Sequence, residues 1–233
     1  MSTLLEARQL TKVYESKKIA LDKLDLTITS GKIIGLLGPN GSGKTTFIKL
    51  VNGLLKPSSG EVLIDGMAPS EHTKAIVSYL PDCNYFDKSM KITQMIDIFE
   101  NFYTDFSREK AMSLLSDLQI DVTSQFKTLS KGTKEKVQLI LVMSRNAKLY
   151  ILDEPMAGID PAARSYILNT IIQNYNPDAT VIISTHLIAD IEAVLDEVVF
   201  IQNGRKIVHT STDAIRGEYG KSVDAYFREV FSC

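Results

Sequence analysis

The chain has 233 residues, 44% hydrophobic and 23% charged, with a formal net charge of −2, a balance that suits a globular chain with a buried core and excludes a disordered or fibrous one. The near-neutral sum also excludes the broad basic field that draws proteins onto nucleic acid or anionic lipid, so function must sit in local sites. The two cysteines, Cys83 and Cys233, match neither a metal-site spacing nor a disulfide framework, which points to a reducing compartment. The opening MSTLLEARQLTKVYE has no basic leader with an apolar core, and no run reaches the apolar length of a membrane span. The chain is therefore expected to be cytosolic and to serve any membrane process by docking.

Taken in order, Lys32 to Leu37 reads KIIGLL, a short apolar run before glycines that predicts a buried central strand. A loop follows, and Phe47, Ile48, Leu50 and Val51 then recur at helical spacing over Thr45 to Val51, with Gly53 and Pro57 as stops. Glu61 to Asp65 predicts an extended run ending in Asp65-Gly66, and Ala75 to Leu80 another strand closed by Pro81. Between Ile92 and Asp121 the period turns helical, with Ser107 as a cap. Strands return at Leu149 to Leu152 and Thr180 to Ser184, separated by a helix beginning near Pro161. Finally VVFIQNGRKIVH holds Asn203-Gly204 between two β-rich runs, a hairpin signal. The expectation is a single α/β domain over 1–233 with a mostly parallel central sheet, an antiparallel β region and a helical subdomain inserted at about 88–147.

Gly38-Pro39-Asn40-Gly41-Ser42-Gly43-Lys44-Thr45 fills each fixed position of G-x-x-x-x-G-K-[ST] and sits between a predicted strand and helix, the setting of a P-loop NTPase. Glycines let backbone N–H groups turn toward phosphate oxygens, and the following helix, which opens on Thr45-Thr46, offers unpaired amides to the same anion. Lys44 is placed to reach the β and γ phosphates and Thr45 to hold Mg²⁺. The run LYIL ends in Asp153-Glu154; at the carboxyl end of a parallel strand such a pair faces the ligand crevice. Alone it reads equally as a solvated turn. Beside a phosphate loop, Asp153 is the Mg²⁺ partner and Glu154 the base that orients and deprotonates the attacking water.

Leu129-Ser130-Lys131-Gly132-Thr133, just before the acidic strand, resembles the LSGGQ signature of ABC ATPases. The order of phosphate loop, helical stretch, LSxG, LYILDEP, AGID and a later lone histidine resembles that family from near the N-terminus to about Gly204. The resemblance implies an ATPase that drives transport across a membrane, with ATP and Mg²⁺ bound. It implies that Tyr14 stacks on adenine, although a tyrosine packed at a strand end fits as well. Ser130, Lys131, Gly132 and Thr133 would contact ATP held by a second cassette, in a homodimer or heterodimer that closes on two ATP and reopens after hydrolysis. Asp160 would couple the two sites across that dimer, and as Asp160-Pro161 it equally suits a helix N-cap. His186 is similar to the switch histidine that touches the γ-phosphate, whereas His72 and His209 read as surface residues.

The pattern also departs from the family. Asp82 stands where glutamine is usual and brings a carboxylate toward Mg²⁺ and polyphosphate, while Lys131 and Thr133 replace glycine and glutamine in the signature. A subset of bacterial cassettes with similar LPD and LSKG variants works with separate permease chains, which implies a transmembrane permease partner, export, and a place on the inner face of the cell membrane. No nucleic-acid partner is expected: a ribosome- or DNA-acting relative would carry two cassettes or a long coiled coil. A P-loop kinase or GTPase would lack both LSxG and the late histidine.

Overall fold

The computed structural model describes residues 2–157, 159–176 and 178–232, and of Ala162 and Ala163 the backbone alone. The fold opens with two long strands, β1 (Thr3–Val13) and β2 (Ile19–Thr29), paired antiparallel. Leu24, Leu26 and Ile28 of β2 are buried at period two while Lys23, Asp25 and Thr27 face solvent, the alternation of a sheet covered on one side. β3 (Ile33–Leu37) is buried at all five positions, as a central strand requires. The phosphate loop leads into α1 (Lys44–Val51), and β4 (Ser59–Ile64) returns to pair with β1. Asp65 and Gly66 then take φ of 50° and 77°, closing a tight turn in which Ile64 and Met67 exchange backbone hydrogen bonds.

α2 (Glu71–Ile76) corrects one expectation: Ala75 and Ile76 finish this helix, and β5 is only Val77–Leu80. Ser70 and Thr73 form a reciprocal capping box at its start, which favours helix over the extended alternative. α3 (Ile92–Phe102) and α4 (Arg108–Asp117) divide the long helical stretch, and Ser107 caps α4 by accepting the Lys110 N–H. After a single 3-10 turn at Phe126–Thr128 come α5 (Lys131–Met143), β6 (Leu149–Asp153), α6 (Pro161–Asn174), β7 (Thr180–Ser184) and α7 (Ile188–Ile191). β8 (Glu197–Gln202) and β9 (Arg205–Ser211) form the hairpin at Asn203-Gly204. α8 (Thr212–Tyr219) and α9 (Val223–Phe231), each opened by a serine cap at Ser211 and Ser222, follow; the sequence reading left both helices unassigned.

The chain builds a six-stranded sheet in the order β5-β6-β7-β3-β8-β9 and a three-stranded antiparallel sheet β2-β1-β4. Every neighbour pair in the larger sheet is parallel except β8-β9. Alternation along its strands divides the interior. Leu37, Tyr150, Leu152, Val181, Ile183, Val198 and Phe200 join one apolar cluster, closed by α5, α6, α7 and α9. Leu36, Leu149, Ile151, Ile182 and Val199 join a second, closed by α1 and the smaller sheet. A third cluster gathers Ile92, Met95, Ile96, Phe99, Leu115 and Phe126 against Val137, Ile140 and Leu141 of α5. α5 thus serves two cores, and all seven residues from Val137 to Met143 are buried, a wider burial than the single stripe its sequence suggests. No helix among the described residues is long and apolar enough to cross a membrane.

Arg145, 2% exposed, ties these layers together just past the end of α5. Its guanidinium donates to Asp105 Oδ1 at 2.9 Å and to the Val77 and Ala75 carbonyls at 2.5 and 2.6 Å, and lies 3.7 Å from the Tyr103 ring centroid. Each donor finds a partner, which is what makes a buried cation tolerable. Arg145→Met keeps the aliphatic stem but orphans Asp105 and both carbonyls; it is expected to cost about 3 kcal/mol, read as a lower urea midpoint at unchanged slope.

Candidate functional site: a phosphate cradle at the carboxyl edge of the sheet

β3, β6 and β7 run parallel and adjacent, so the loops that leave their carboxyl ends converge, the place where open α/β sheets hold ligands. The loop after β3 curls around the first turn of α1. A Cβ on Gly43, where φ is +114°, would stand 2.5 Å from the Ala20 carbonyl oxygen, and one on Gly38 would stand 2.2 Å from that of Ile201. Only glycine fits either position, and the close approach leaves the loop's amides facing inward.

Lys44 is buried within its own loop, and its Nζ donates to the carbonyls of Gly38 at 2.6 Å and Pro39 at 3.3 Å. Burial lowers its pKa, while the nearby charges of Glu154 and Asp153 oppose that shift. A cavity of about 290 Å³ opens here, lined by Tyr14, Lys18 and Ala20, by Asn40 to Thr46, and by Asp82 and Glu154. The Tyr14 hydroxyl lies 3.2 Å from Thr46 Oγ1 and Lys12 Nζ lies 5.7 Å from its ring centroid, so the ring is held at the cavity mouth with 37% of the residue exposed.

At the end of β6, Asp153 is 1% exposed and neither carboxylate oxygen has a hydrogen-bond partner among the described residues. Desolvation raises its pKa and the Asp82 and Glu154 charges add to the rise, while the hydroxyls of Ser184 and Thr45 offset part of it. A buried, unpaired carboxylate beside a threonine hydroxyl is the donor set of a hard cation. No group of three or more His, Cys, Asp or Glu among the described residues could hold a metal, so a cation would need further oxygens from a ligand in the cradle.

Glu154 takes φ of 52°, a region costly for a residue with a Cβ and concentrated at functional sites. Its N–H donates to the Ser184 carbonyl at 2.7 Å, which holds the turn. Its Oε2 lies 2.9 Å from His186 Nδ1 and accepts from Thr185 Oγ1 at 3.3 Å. A carboxylate oxygen accepts in this bond, so Nδ1 is its donor.

The remaining candidates do not line that cavity. Ser130 caps α5, accepting the Thr133 N–H at 3.1 Å with the two hydroxyls 2.8 Å apart. Exposed Lys131 and half-buried Gly132 complete that turn, and Lys131 lines a smaller cavity of about 120 Å³ that Asp82, Asp153 and Glu154 share. Asp160 is exposed immediately before α6, while Gly158 of the same loop and Cys233 lie outside the described residues. His72 is exposed as expected, but His209 is a correction: its Nε2 lies 3.0 Å from Glu197 Oε2 and its side chain is 23% exposed, because β9 brings it against β8. Sequence reasoning missed Lys18, Ala20 and Thr185. The alternation of β2 could have placed Ala20; nothing local marks Lys18 or Thr185.

The chain matches the family described as ABC transporter over residues 21–157. It is 31% identical over 230 residues to the ABC transporter ATP-binding protein YtrB of Bacillus subtilis, covering 97% of this chain and 78% of that protein. Among solved structures it is similar to an ATP-binding subunit of an ABC transporter, with TM-score 0.86, 27% identity and coverage of 97% and 99% of the two chains. The fold also matches a dimeric ATP-binding cassette bound to ADP and Pi in a post-hydrolysis state, with TM-score 0.79, 19% identity and coverage of 89% and 98%.

The orphaned carboxylate of Asp153 has a sign that can be checked. A carboxyl whose native pKa is raised holds its proton more tightly folded than unfolded, so stability falls as pH climbs from the ordinary value of 3.8 through the raised one. Asp153→Asn, which cannot ionise, is expected to be more stable than the parent at neutral pH. Urea unfolding should show the difference shrinking toward the acid end of that window.

Proposed function

Because the chain belongs to the ABC transporter family, as its ATP-binding, ATP-hydrolysing cassette, we propose that it works as one half of a dimer that closes on two ATP molecules and drives a separate permease, in the direction of export. The observation that carries this reading is the convergence of buried Lys44, orphaned Asp153 and the Glu154–His186 pair at one carboxyl edge.

In this proposal the residues from Gly38 to Thr46 bind the phosphates. Lys44 exchanges its bonds to the Gly38 and Pro39 carbonyls for bonds to the β and γ oxygens, a charge-assisted gain. Tyr14 stacks on the adenine, with Lys12 on its other side. Thr45 and Asp153, with Asp82 facing them, are the residues that fit Mg²⁺. That ion, when bound, supplies neutralisation of the phosphate oxygens. Glu154 orients a water and takes its proton; its backbone is held by Ser184 and its carboxylate by His186 and Thr185, so it enters the reaction already positioned. His186, whose Nδ1 faces Glu154, turns Nε2 to the γ-phosphate and bonds it as an N–H donor, which requires both ring nitrogens to be protonated. Ser130 to Thr133, which do not line the 290 Å³ cavity, serve the ATP of a second copy or a homologous partner, with Asp160 coupling the two sites. The post-hydrolysis cassette of the same fold is likewise named as a dimer.

The permease partner is supported by a surface groove of about 670 Å³ between β5 and α3, lined by Lys49, Lys74, Phe86 and Met90 and rimmed by Leu54, Tyr85 and Phe102. Phe102 is 78% and Leu54 57% exposed, an apolar patch suited to an amphipathic segment of a membrane protein. Residues 88–147 act as the inserted helical subdomain that carries one wall of this groove and the Ser130 turn, and the chain sits peripherally on the inner face of the membrane. The Asp82 and Lys131 variants support the export direction.

Glu154→Gln should leave ATP affinity intact, lower turnover by about 10²–10⁴-fold and trap an ATP-bound dimer on size exclusion; unchanged phosphate release would remove Glu154 as the base. Lys44→Ala should weaken ATP binding on the order of tenfold to a hundredfold in a fluorescent-nucleotide titration.

A further inference from the structure

One polar side chain interrupts the buried run from Val137 to Met143 of α5: Gln138, 3% exposed. Its Nε2 donates to Asn84 Oδ1 at 3.0 Å. Its Oε1 is buried without a partner among the described residues. A leucine there would fill similar volume with no unpaired amide, so the glutamine is held at a cost to the core.

What it touches suggests why. Gln138 lies at a cavity of about 120 Å³ lined also by Asp82, Asn84, Lys131, Glu135, Asp153 and Glu154. Asp82 and Glu154 belong as well to the larger phosphate-binding cavity, so one short loop, Pro81 to Asn84, faces the cradle through Asp82 and α5 through Asn84. Ser130 lies eight residues before Gln138 on the same rigid helix, about 12 Å along its axis. A second bond, Ser78 Oγ to the Val142 carbonyl at 2.9 Å, fastens the far end of α5 to β5, leaving the Asn84 contact as the polar link nearest the Ser130 end.

We propose that Gln138 is a positioning residue that couples the two nucleotide sites within one chain. A change at Asp82 on nucleotide binding or loss is carried through Asn84 and Gln138 into α5, and so into the Ser130 turn that meets the other ATP. The inference rests on the two-cassette reading above. Gln138 touches no reacting atom; it sets the angle of a helix whose end does.

The test uses the full chain with Mg-ATP, comparing the parent with Gln138→Leu, Asn84→Ala and the double variant. Gln138→Leu should keep or raise the thermal midpoint and leave nucleotide affinity within about twofold, while kcat falls roughly tenfold and the Hill coefficient drops toward unity. Asn84 is exposed, so its alanine variant leaves the core untouched and should show the same kinetic split, with the double variant no worse than either single one. A glutamine that only fills space would change stability alone. Parental kcat and Hill coefficient in either single variant would overturn the coupling and leave the catalytic reading standing; a parent chain without ATP turnover would overturn both.

Discussion

A buried cation whose hydrogen bonds go to carbonyl oxygens, with the Glu154 and Asp153 charges nearby, is the constraint around which this site is built. The Lys44 ammonium sits inside its own loop, with the Gly38 and Pro39 carbonyls as its partners, and burial weakens its hold on the proton. Carbonyls offset the desolvation of a full charge only in part. A polyphosphate brings the anionic oxygens that complete the balance, and the glycines at 38 and 43 allow the backbone near enough to add its amides. The same holds with opposite sign at Asp153, whose oxygens are buried and unpaired. The two charges interact across neighbouring cavities that share Asp82 and Glu154, and a ligand carrying both phosphate and cation would complete each.

The rest of the fold keeps that space open and its walls stiff. Strand alternation hands successive residues of β3, β6, β7 and β8 to different cores, so no strand shifts without disturbing both faces. α5 lies between a sheet core and the α3–α4 cluster, and Arg145 pins its end to β5, the Asp105 loop and the Tyr103 ring. The helix is thus anchored at one end and linked to the Asp82 loop through Gln138 and Asn84 along its length.

Strain is concentrated at one residue of the catalytic edge. Glu154 occupies a positive-φ conformation held by the Ser184 carbonyl, and its carboxylate is aimed by His186 and Thr185. Such strain persists when the surroundings over-determine it, and here three successive residues do so, Ser184 at the end of β7 and Thr185 and His186 just after it. The cost is met in the fold, before any substrate arrives.

Local chemistry made much of this legible in the residues. The phosphate loop, the Asn203-Gly204 hairpin, the Ser107 and Ser130 caps and the buried central strands follow from rules that act within a few positions, such as glycine at positive φ, alternation and serine before a helix. The period-two run of β2 was equally readable, yet passed over beside the stronger motifs. Where a local competitor was present, as with the Ser70–Thr73 box that turns Ala75 and Ile76 into helix, the extended reading lost. Composition and motif order alone were enough to determine an α/β nucleotide-binding chain and the residues of its cradle. Tertiary structure alone decided that His186 meets Glu154 across 32 residues, that Gln138 reaches Asn84 across 54, and that Asp153 is left without a partner. Those pairings depend on which strands lie side by side and which loops leave the same edge, and burial, the quantity that sets their energies, belongs to the packed whole rather than to any stretch of chain.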